Sequence, residues 1–168
     1  EVKDPAVINK LVSLVTKEGK SPVTDFVGKS AKYILEQVGI SVGDDVKVIL
    51  MEATEDHPFV QVELMMPILP LVRVPDVDQA IEMAVRVEHG NRHTAMIHSR
   101  NVEKLTKMAK LIQTTIFVKN GPSYAGIGVG GEGYTTFTIA GPTGEGLTSA
   151  KSFARRRRCV LVGGMDVR

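Results

Sequence analysis

Residues 114–146 have the sequence TTIFVKNGPSYAGIGVGGEGYTTFTIAGPTGEG, and the rest of the chain is organised around them. The stretch begins with the β-branched and aromatic run Thr115–Val118, which predicts a buried strand. Nine of the sixteen glycines of the chain lie between Gly121 and Gly146. Because glycine permits positive φ angles and a close approach of other atoms, we predict a loop whose backbone is shaped around a neighbouring group.

The composition is that of an ordinary globular protein with one hydrophobic core. Of the 168 residues, 43% are hydrophobic and 24% are charged, and the formal net charge is +2. A net charge this small gives no strong field that would favour nucleic acid or a membrane surface. We find no run of about 18 apolar residues that would predict a membrane span, and no signal peptide. The single cysteine, Cys159, excludes an internal disulfide and a cysteine-rich zinc site, and it is consistent with a reducing cytosol.

Hydrophobic periodicity predicts alternating helices and strands. Apolar residues spaced i, i+3, i+4, i+7 predict helices over residues 5–17 and 27–38. Asp76, with Gln79 as a capping-box partner, and Asn101 are predicted to cap two further helices. The remaining predicted elements are strands over Val46–Met51, Leu69–Val74, Thr94–His98 and Thr115–Val118, a weak alternation over Tyr134–Ile139, a short helix over Ser149–Ala154, and a last strand over Arg158–Val162.

Strand, helix, strand, helix and strand follow one another between Leu69 and Val118. This βαβ order predicts an α/β fold with a mostly parallel sheet. Ligands of such sheets bind beyond the carboxyl ends of the strands. The loops after Val74, His98 and Val118 are therefore candidate binding loops, and the glycine-rich stretch leaves from the last of them.

The glycine-rich loop matches no phosphate-binding fingerprint. The GxxxxGK[ST] motif is absent, and Gly126–Gly131 follows a strand without opening a clear helix, so the dinucleotide motif is not met. An ordered surface loop with tight turns is the simple alternative, although long loops in compact domains are usually functional. The residues alone leave both interpretations open.

Glu63 and His93 are candidate functional residues. Glu63 precedes a predicted strand, with Pro67 fixing the turn; its carboxylate is either an acceptor for ribose hydroxyls or a solvated loop carboxylate. None of the four histidines has metal-ligand spacing with carboxylates, so we predict no metal site. His93 precedes a predicted strand, at the sheet edge opposite the glycine-rich loop, and it is either structural or a group that titrates near neutral pH.

Cys159 follows the basic run Arg155–Arg158. Nearby cations can activate a thiol as a nucleophile, but the Val-Leu-Val that follows predicts a strand in which the cysteine is a small buried residue. The arginines could bind nucleic acid. Without interleaved aromatic residues, however, a subunit interface or a solvated strand face is favoured.

Four segments, in this order, resemble one known family. They are HPFVQVELMMPILPLVRV (57–74), HTAMIHSRN (93–101), IFVKNGPSYAGIGVGGEGYTTFTIAGPTGEG (116–146) and FARRRRCVLV (153–162). Together they resemble the C-terminal part of CoA-acylating aldehyde dehydrogenases, in particular the propionaldehyde and acetaldehyde enzymes of the propanediol- and ethanolamine-utilisation microcompartments. The resemblance covers nearly the whole chain.

The resemblance implies an aldehyde dehydrogenase fold with a Rossmann-like, mostly parallel sheet and helices on both faces. Residues 1–154 would be part of the catalytic domain, and residues 155–168 would be an oligomerisation tail whose strand joins a homodimer or homotetramer. The implied reaction converts a short aldehyde, CoA and NAD⁺ to acyl-CoA and NADH through a cysteine thioester, in the cytoplasm or inside a bacterial microcompartment. The implied partners are the aldehyde and the remainder of the same enzyme, with no nucleic acid and no membrane.

The resemblance also implies a cofactor-binding segment. Glu63, Met65 and Pro67 match the Glu-x-Phe-Gly-Pro motif of the wider superfamily, in which the Glu holds the nicotinamide ribose. Met65 stands in place of the Phe and Met66 in place of the Gly, a departure typical of the acylating branch. The choice between NAD and NADP stays open, because the deciding residues would lie upstream.

An aldehyde pocket is implied at the end of the fourth predicted strand. Asn120, Ser123, Tyr124 and Ala125 would line it, and His93 would transfer protons near the catalytic thiolate. Acetaldehyde and propionaldehyde differ by one methylene, which is worth only about 1–3 kcal/mol of discrimination, so the aldehyde itself stays open.

In this family the nucleophilic cysteine and the main dinucleotide-binding domain precede the segment that matches Glu1. Cys159 matches a cysteine of the C-terminal strand instead. We therefore expect a part of a longer enzyme that is inactive alone. The alternative is a non-catalytic binding or oligomerisation domain, which the missing nucleophile, the Arg155–Arg158 run and the incomplete nucleotide fingerprint would favour.

Overall fold

The computed structural model describes residues 1–133, 135–136, 138–141, 146–160 and 162–163. The chain divides into two units, Glu1–Val87 and Glu88–Arg168. Each unit combines helices with a pair of parallel strands, which confirms the predicted α/β class. Within the described ranges, no helix is both long and apolar enough to cross a bilayer.

The first unit contains four helices and two strand pairs. The helices are α1 (Pro5–Val15), α2 (Ala31–Gln37), α3 (Pro58–Gln61) and α4 (Val77–Val87); the strands are β1 (Thr16–Lys17), β2 (Ser21–Pro22), β3 (Ile49–Glu52) and β4 (Ile68–Leu71). Strands β1 and β2 are antiparallel, whereas β3 and β4 are parallel.

Helix α1 begins at a strong capping signal. The N–H of Ala6 donates to Oδ1 of Asp4 at 2.8 Å, and Pro5 occupies the first turn, where its missing N–H is not needed. Leu11 and Val15 are fully buried, which confirms the predicted apolar face. The core of the unit consists of Leu11, Val15, Ala31, Ile34, Leu35, Ile49, Met51, Phe59, Leu64 and Ile68.

Strands β3 and β4 are shorter than the sequence predicts. Only part of each predicted range, Val46–Met51 and Leu69–Val74, belongs to a strand, and the predicted ends are wrong. The pairing stops because the chain turns immediately after β3, where the N–H of His57 donates to the carbonyl of Thr54 at 3.1 Å. The parallel partner is then no longer available to β4.

Helix α3 lies between the predicted strands Val46–Met51 and Leu69–Val74, where no element is predicted from the sequence. Nδ1 of His57 caps it by accepting a hydrogen bond from the N–H of Phe59 at 3.1 Å, and Pro58 occupies the first turn. The side chain of Phe59 is buried in the core. Proline after a residue that can cap is a helix-start signal, so this helix could have been predicted.

The predicted cap of α4 is half formed. The N–H of Gln79 donates to Oδ1 of Asp76 at 2.9 Å, as expected of an N-cap. The side-chain amide of Gln79 donates to Oδ2 of Asp76 at 3.3 Å, so it does not make the reciprocal bond to the backbone that defines a capping box. Ile81 is the buried residue of this helix.

The second unit is built on one βαβ segment. It comprises β5 (Thr94–Ile97), α5 (Val102–Ile112) and β6 (Ile116–Lys119), and the two strands are parallel, as predicted. Asn101 caps α5 through hydrogen bonds from two backbone N–H groups at 3.0 and 3.2 Å, which confirms its predicted role. The loops at the carboxyl ends of β5 and β6 therefore lie at one edge of this strand pair.

Helix α5 buries a slightly different face from the one that its periodicity predicts, which consists of Val102, Leu105, Ala109 and Ile112. Leu105, Met108 and Ile112 are buried, whereas Val102 is 71% exposed. Val102 follows the periodicity but is the first residue of the helix, where its side chain projects beyond the packed turn.

Short elements complete the second unit. They are 3₁₀ helices over Ser123–Ile127 and Ala150–Phe153 and an antiparallel pair formed by β7 (Ile139–Ala140) and β8 (Gly146–Leu147). The second 3₁₀ helix corresponds to the helix predicted over Ser149–Ala154. The predicted alternation over Tyr134–Ile139 includes two positions, 134 and 137, that lie outside the described residues.

The segment Arg155–Val160 has no regular secondary structure. The predicted strand Arg158–Val162 is therefore not formed at its first three residues, and Leu161 lies outside the described residues, as do residues 164–168. Cys159 is exposed, so its interpretation as a buried strand residue is wrong for this chain. A strand forms only against a partner, and none of the described residues pairs with this segment.

Candidate functional site

Asn120 connects the carboxyl ends of β5 and β6 through hydrogen bonds. Its N–H donates to the carbonyl of Ile97 at 2.9 Å, which extends the strand pairing by one bond. Its side-chain Oδ1 accepts from the N–H of Ser99 at 2.8 Å, and its Nδ2 donates to the carbonyl of Ser99 at 2.9 Å. Asn120 has φ +55°, a left-handed conformation that asparagine tolerates better than most residues. The predicted pocket residue thus also ties the two strand ends together.

The predicted pocket residues Ser123, Tyr124 and Ala125 share one 3₁₀ helix directly after this tie. The N–H of Ala125 donates to the carbonyl of Pro122 at 3.0 Å, and the N–H of Val129 donates to the carbonyl of Tyr124 at 3.0 Å. Ser123 and Ala125 are half-buried, whereas the ring of Tyr124 is 62% exposed. The turn therefore presents Tyr124 as an outward-facing aromatic side chain.

Glycines allow this loop to pack closely against β6 and against its own backbone. A Cβ added to Gly126 would overlap with Cγ2 of Ile116 on β6, and a Cβ added to Gly131 would lie 2.6 Å from the carbonyl oxygen of Ala125. Such contacts are too short for any other residue. The close approach predicted from the glycine content is therefore made here by neighbouring backbone and by β6.

His93 lies at the other edge of the same strand pair. It directly precedes β5, and Nδ1 lies 2.7 Å from Oγ1 of Thr94. Its N–H donates to Oε1 of Glu88 at 3.2 Å, and its ring is exposed. The four residues of β5 separate the two edges, which corresponds to roughly 13 Å. The strand pair thus places His93 at the edge predicted for it, and it does not bring His93 together with Tyr124.

The predicted cofactor-binding residues lie in the first unit, on the loop between α3 and β4. The carbonyl of Met65 accepts from the N–H of Gly28 at 3.2 Å, and the carbonyl of Pro67 accepts from the N–H of Ile49 at 2.8 Å. Met65 has φ +54° and a side chain that is 59% exposed. Glu63 is exposed, and no described residue makes a hydrogen bond or an ion pair with its carboxylate. Hydrogen bonds hold the backbone of this loop in place, and the carboxylate of Glu63 is available to accept hydrogen bonds from a ligand.

A groove of about 610 Å³ adjoins this loop. Met65, Met66 and Pro67 form one side, and residues around the start of α2 form another. Lys32 in this groove lies 3.1 Å from Oδ1 of Asp44, and that hydrogen bond raises the pKa of Lys32. No local sequence pattern predicts this groove, because it is created by segments that are distant in the chain.

Comparison with known proteins supports the resemblance of the four segments. The profile of the aldehyde dehydrogenase family matches residues 10–144. The chain is 52% identical over 158 residues to the acetylating acetaldehyde dehydrogenase EutE of Escherichia coli, covering 94% of this chain and 34% of the relative. It is also 52% identical over 165 residues to the CoA-propanoylating propanal dehydrogenase of Salmonella typhimurium, covering 98% of this chain and 35% of that protein.

Comparison with solved structures identifies relatives of the same kind. The propionaldehyde dehydrogenase of Rhodopseudomonas palustris with bound propionyl-CoA has 71% identity and a TM-score of 0.86, and the match covers 95% of this chain and 35% of that one. The propionaldehyde dehydrogenase of the Clostridium phytofermentans fucose-utilisation microcompartment has 49% identity and a TM-score of 0.84, with coverage of 99% and 38%. The chain spans about a third of the length of these relatives, and it belongs to the aldehyde dehydrogenase family.

Proposed function

We propose that this chain is part of an NAD-dependent, CoA-acylating aldehyde dehydrogenase. The reaction is aldehyde + CoA + NAD⁺ → acyl-CoA + NADH + H⁺, with acetaldehyde or propionaldehyde as the substrate. The observation that carries the proposal is the high identity, along nearly the whole chain, to acetaldehyde and propionaldehyde dehydrogenases that acylate CoA. Because the chain spans only about a third of each relative, the whole reaction requires a longer polypeptide.

The loop that carries Glu63 fits the ribose of a nicotinamide cofactor. The carboxylate is exposed and has no partner among the described residues, so both oxygens can accept hydrogen bonds from vicinal hydroxyls. The backbone of Met65 and Pro67 is fixed by hydrogen bonds to Gly28 and Ile49, which holds the loop in place. The nicotinamide, when bound, accepts a hydride from the substrate, and the role of Glu63 is to orient the ribose.

The turn that carries Tyr124 fits one wall of an aldehyde pocket. Tyr124 presents an exposed ring, and Ser123 and Ala125 add small, half-buried side chains beside it. Such a wall limits the length of the aldehyde by steric contact. Single methylenes are discriminated only about 10–200-fold in pockets of this kind, so we propose a preference among short aldehydes and not an absolute choice.

His93 is proposed to transfer protons near the catalytic thiolate. Its Nδ1 is paired with Oγ1 of Thr94 at 2.7 Å, which orients the ring, and Nε2 has no hydrogen-bond partner among the described residues. Imidazole is the usual group for proton transfer near neutral pH. His93 would act on groups supplied by the rest of the enzyme.

The nucleophile is proposed to come from the part of the enzyme that precedes this chain. Cys159, the single cysteine, lies in the exposed segment after the last 3₁₀ helix. In the proposed reaction a cysteine thiolate attacks the aldehyde carbon, the hydride is transferred, and the CoA thiol then displaces the acyl group from the enzyme sulfur. This chain would supply the pocket wall, the ribose acceptor and the proton-transfer group.

The C-terminal segment supports a second, compatible proposal. Arg155–Val160 has no regular secondary structure, is exposed and pairs with none of the described residues, and Phe153 and Val160 are 70% and 69% exposed. We propose that residues 155–168 form an oligomerisation tail that pairs with another subunit, since unpaired backbone readily accepts a partner strand. The mass of the native enzyme in solution, before and after removal of this tail, tests it.

The enzymatic proposal is tested on the native polypeptide that contains this chain. We expect NADH formation from acetaldehyde or propionaldehyde that requires CoA, and acyl-CoA detectable by mass spectrometry. Oxidation of the aldehyde to the free acid without any need for CoA would contradict the acylating reaction. Enclosure in a microcompartment is a further proposal, drawn from relatives of that origin, and co-purification with shell particles tests it.

A further inference from the structure

We infer that Asn120 is a positioning residue that holds the proposed aldehyde-pocket wall in place, and that its amide does not contact the aldehyde. This inference rests on the proposed function, because the wall is the one assigned to Tyr124. In this inference Asn120 does not line the pocket. Its side chain binds the backbone of Ser99, which follows β5.

The amide of Asn120 is engaged on both sides. Oδ1 accepts from the N–H of Ser99 at 2.8 Å, and Nδ2 donates to the carbonyl of the same residue at 2.9 Å. Ser99 follows β5, where the strand pairing has ended, so its backbone groups would otherwise lack a protein partner. A side-chain amide is the smallest group that can satisfy an N–H and a carbonyl of one residue together.

The backbone of Asn120 turns the chain at this point. Its φ of +55° is left-handed, and the next residues lead directly into the 3₁₀ helix over Ser123–Ile127. The N–H of Asn120 remains bound to Ile97 at 2.9 Å. The side-chain bonds to Ser99 therefore fix where the chain leaves β6 and in which direction the pocket wall starts.

A second anchor lies at the far end of the wall. Gly126 packs directly against Ile116 and Val118 of β6, with no room for a Cβ. Tyr124 stands between this anchor and Asn120. Since one end is bound to the chain at and just after β5 and the other packs on β6, the position of the Tyr124 ring depends on both attachments, and loosening one of them shifts the ring without changing its chemistry.

Variants of the full-length native enzyme test the inference. Asn120→Gly keeps the left-handed conformation and removes both side-chain bonds, and Asn120→Asp keeps only the acceptor. Asn101→Ala is the matched control: it removes an asparagine whose side chain makes two hydrogen bonds to backbone, both accepted at the cap of α5 and neither made with the wall. Losing that cap should destabilise α5.

We expect Asn120→Gly to change the ratio of kcat/KM for propionaldehyde to that for butyraldehyde by about threefold or more. The ratio measured for Asn120→Asp should lie between those of Asn120→Gly and the native enzyme. Asn101→Ala should lower Tm and leave the ratio unchanged. An unchanged ratio in Asn120→Gly, or an equal change in Asn101→Ala, would overturn the inference.

Hydrogen exchange separates this inference from the proposed function. Amides of residues 123–129 should exchange about fivefold faster in Asn120→Gly than in the native enzyme, because the two side-chain hydrogen bonds to Ser99 are lost. In Asn101→Ala, which keeps both bonds, they should exchange as in the native enzyme. If the native enzyme shows no CoA-dependent activity, the proposed function fails, and exchange alone decides whether Asn120 positions this turn. Equal exchange in Asn120→Gly and the native enzyme overturns the positioning role.

Discussion

The N–H of Phe59 donates to Nδ1 of His57 at 3.1 Å, and the two rings meet edge to face with centroids 5.2 Å apart. His57 can accept this bond only while Nδ1 carries no proton. Partial burial lowers the pKa of His57, although the carboxylate of Asp56 opposes the shift. The stability of the α3 cap therefore depends on pH.

We expect α3 to lose stability as the pH falls. The folded pKa of His57 lies below its unfolded value of about 6.5, so the unfolded state binds more protons and stability rises with pH in this range. The loss should begin near pH 6.5 and continue as the pH falls towards the folded pKa. Hydrogen exchange of the N–H groups of Phe59 and Val60, measured between pH 7.5 and 5.5 and corrected for the intrinsic pH dependence, reports it.

His57→Asn is the matched variant for this prediction. Asparagine caps helices well and does not titrate, so the corrected protection of α3 should no longer depend on pH. The carboxylates of Glu55 and Asp56 also face this turn. Hydrogen bonds from Arg86 and Thr54 lower the pKa values of Glu55 and Asp56, so both stay ionised in this range. A pH dependence that persists in His57→Asn would show that another group is responsible.

Gly126→Ala should destabilise the second unit and displace the proposed pocket wall. The new Cβ overlaps with Ile116, and relief of such overpacking typically costs about 1–3 kcal/mol. Gly121→Ala is the control in the same loop, because its Cβ would meet Val118 at an ordinary 3.5 Å. Urea unfolding of the native enzyme should show the loss only for Gly126→Ala. Similar stability in the two variants would contradict the packing described for this glycine.

Local signals predicted much of this fold. Asp76 and Asn101 cap helices at the expected positions, because a cap depends on residues two or three apart in the chain. The parallel pairing of β5 and β6 followed from the order of elements between them. Strand ends were predicted less well, since a ladder ends where its partner turns away, as at Thr54.

Features that depend on distant pairs were not predicted. The two bonds between Asn120 and Ser99 depend on the register of two strands, and the bond between Gly28 and Met65 joins segments far apart in the chain. Composition predicted a close approach at the glycine-rich loop but not which groups make it. Glycine content indicated a loop shaped around another group, and the structure shows that the loop's own backbone and β6 supply these contacts.

Glu63→Gln in the native enzyme should weaken use of the nicotinamide cofactor. A hydrogen bond to a charged acceptor contributes about 1.5–3 kcal/mol, so removing the charge should lower kcat/KM for NAD⁺ by roughly 10–100-fold. Glu18→Gln is a control on an exposed surface pair, at 3.8 Å from Lys20, and should have no effect. An unchanged kcat/KM for NAD⁺ in Glu63→Gln would show that this carboxylate does not bind the cofactor.

Cys159→Ser should leave the native enzyme active. Cys159 lies in the exposed segment that follows Arg155–Arg158, and no described acid or base makes a hydrogen bond with its thiol. A nucleophilic cysteine needs such a partner or a protected electropositive site. Turnover of propionaldehyde should therefore stay within about twofold of the native enzyme, as expected for a surface substitution.

The 168-residue chain assayed alone completes this test. Without a nucleophile from the preceding part of the enzyme, it should form no acyl-CoA from aldehyde, CoA and NAD⁺, even at concentrations where the native enzyme reacts within seconds. Circular dichroism of the same sample, showing helix and strand, establishes that the chain is folded in the assay. Acyl-CoA formed by the folded chain and lost in its Cys159→Ser variant would identify Cys159 as the nucleophile and overturn the assignment of that role to an upstream cysteine.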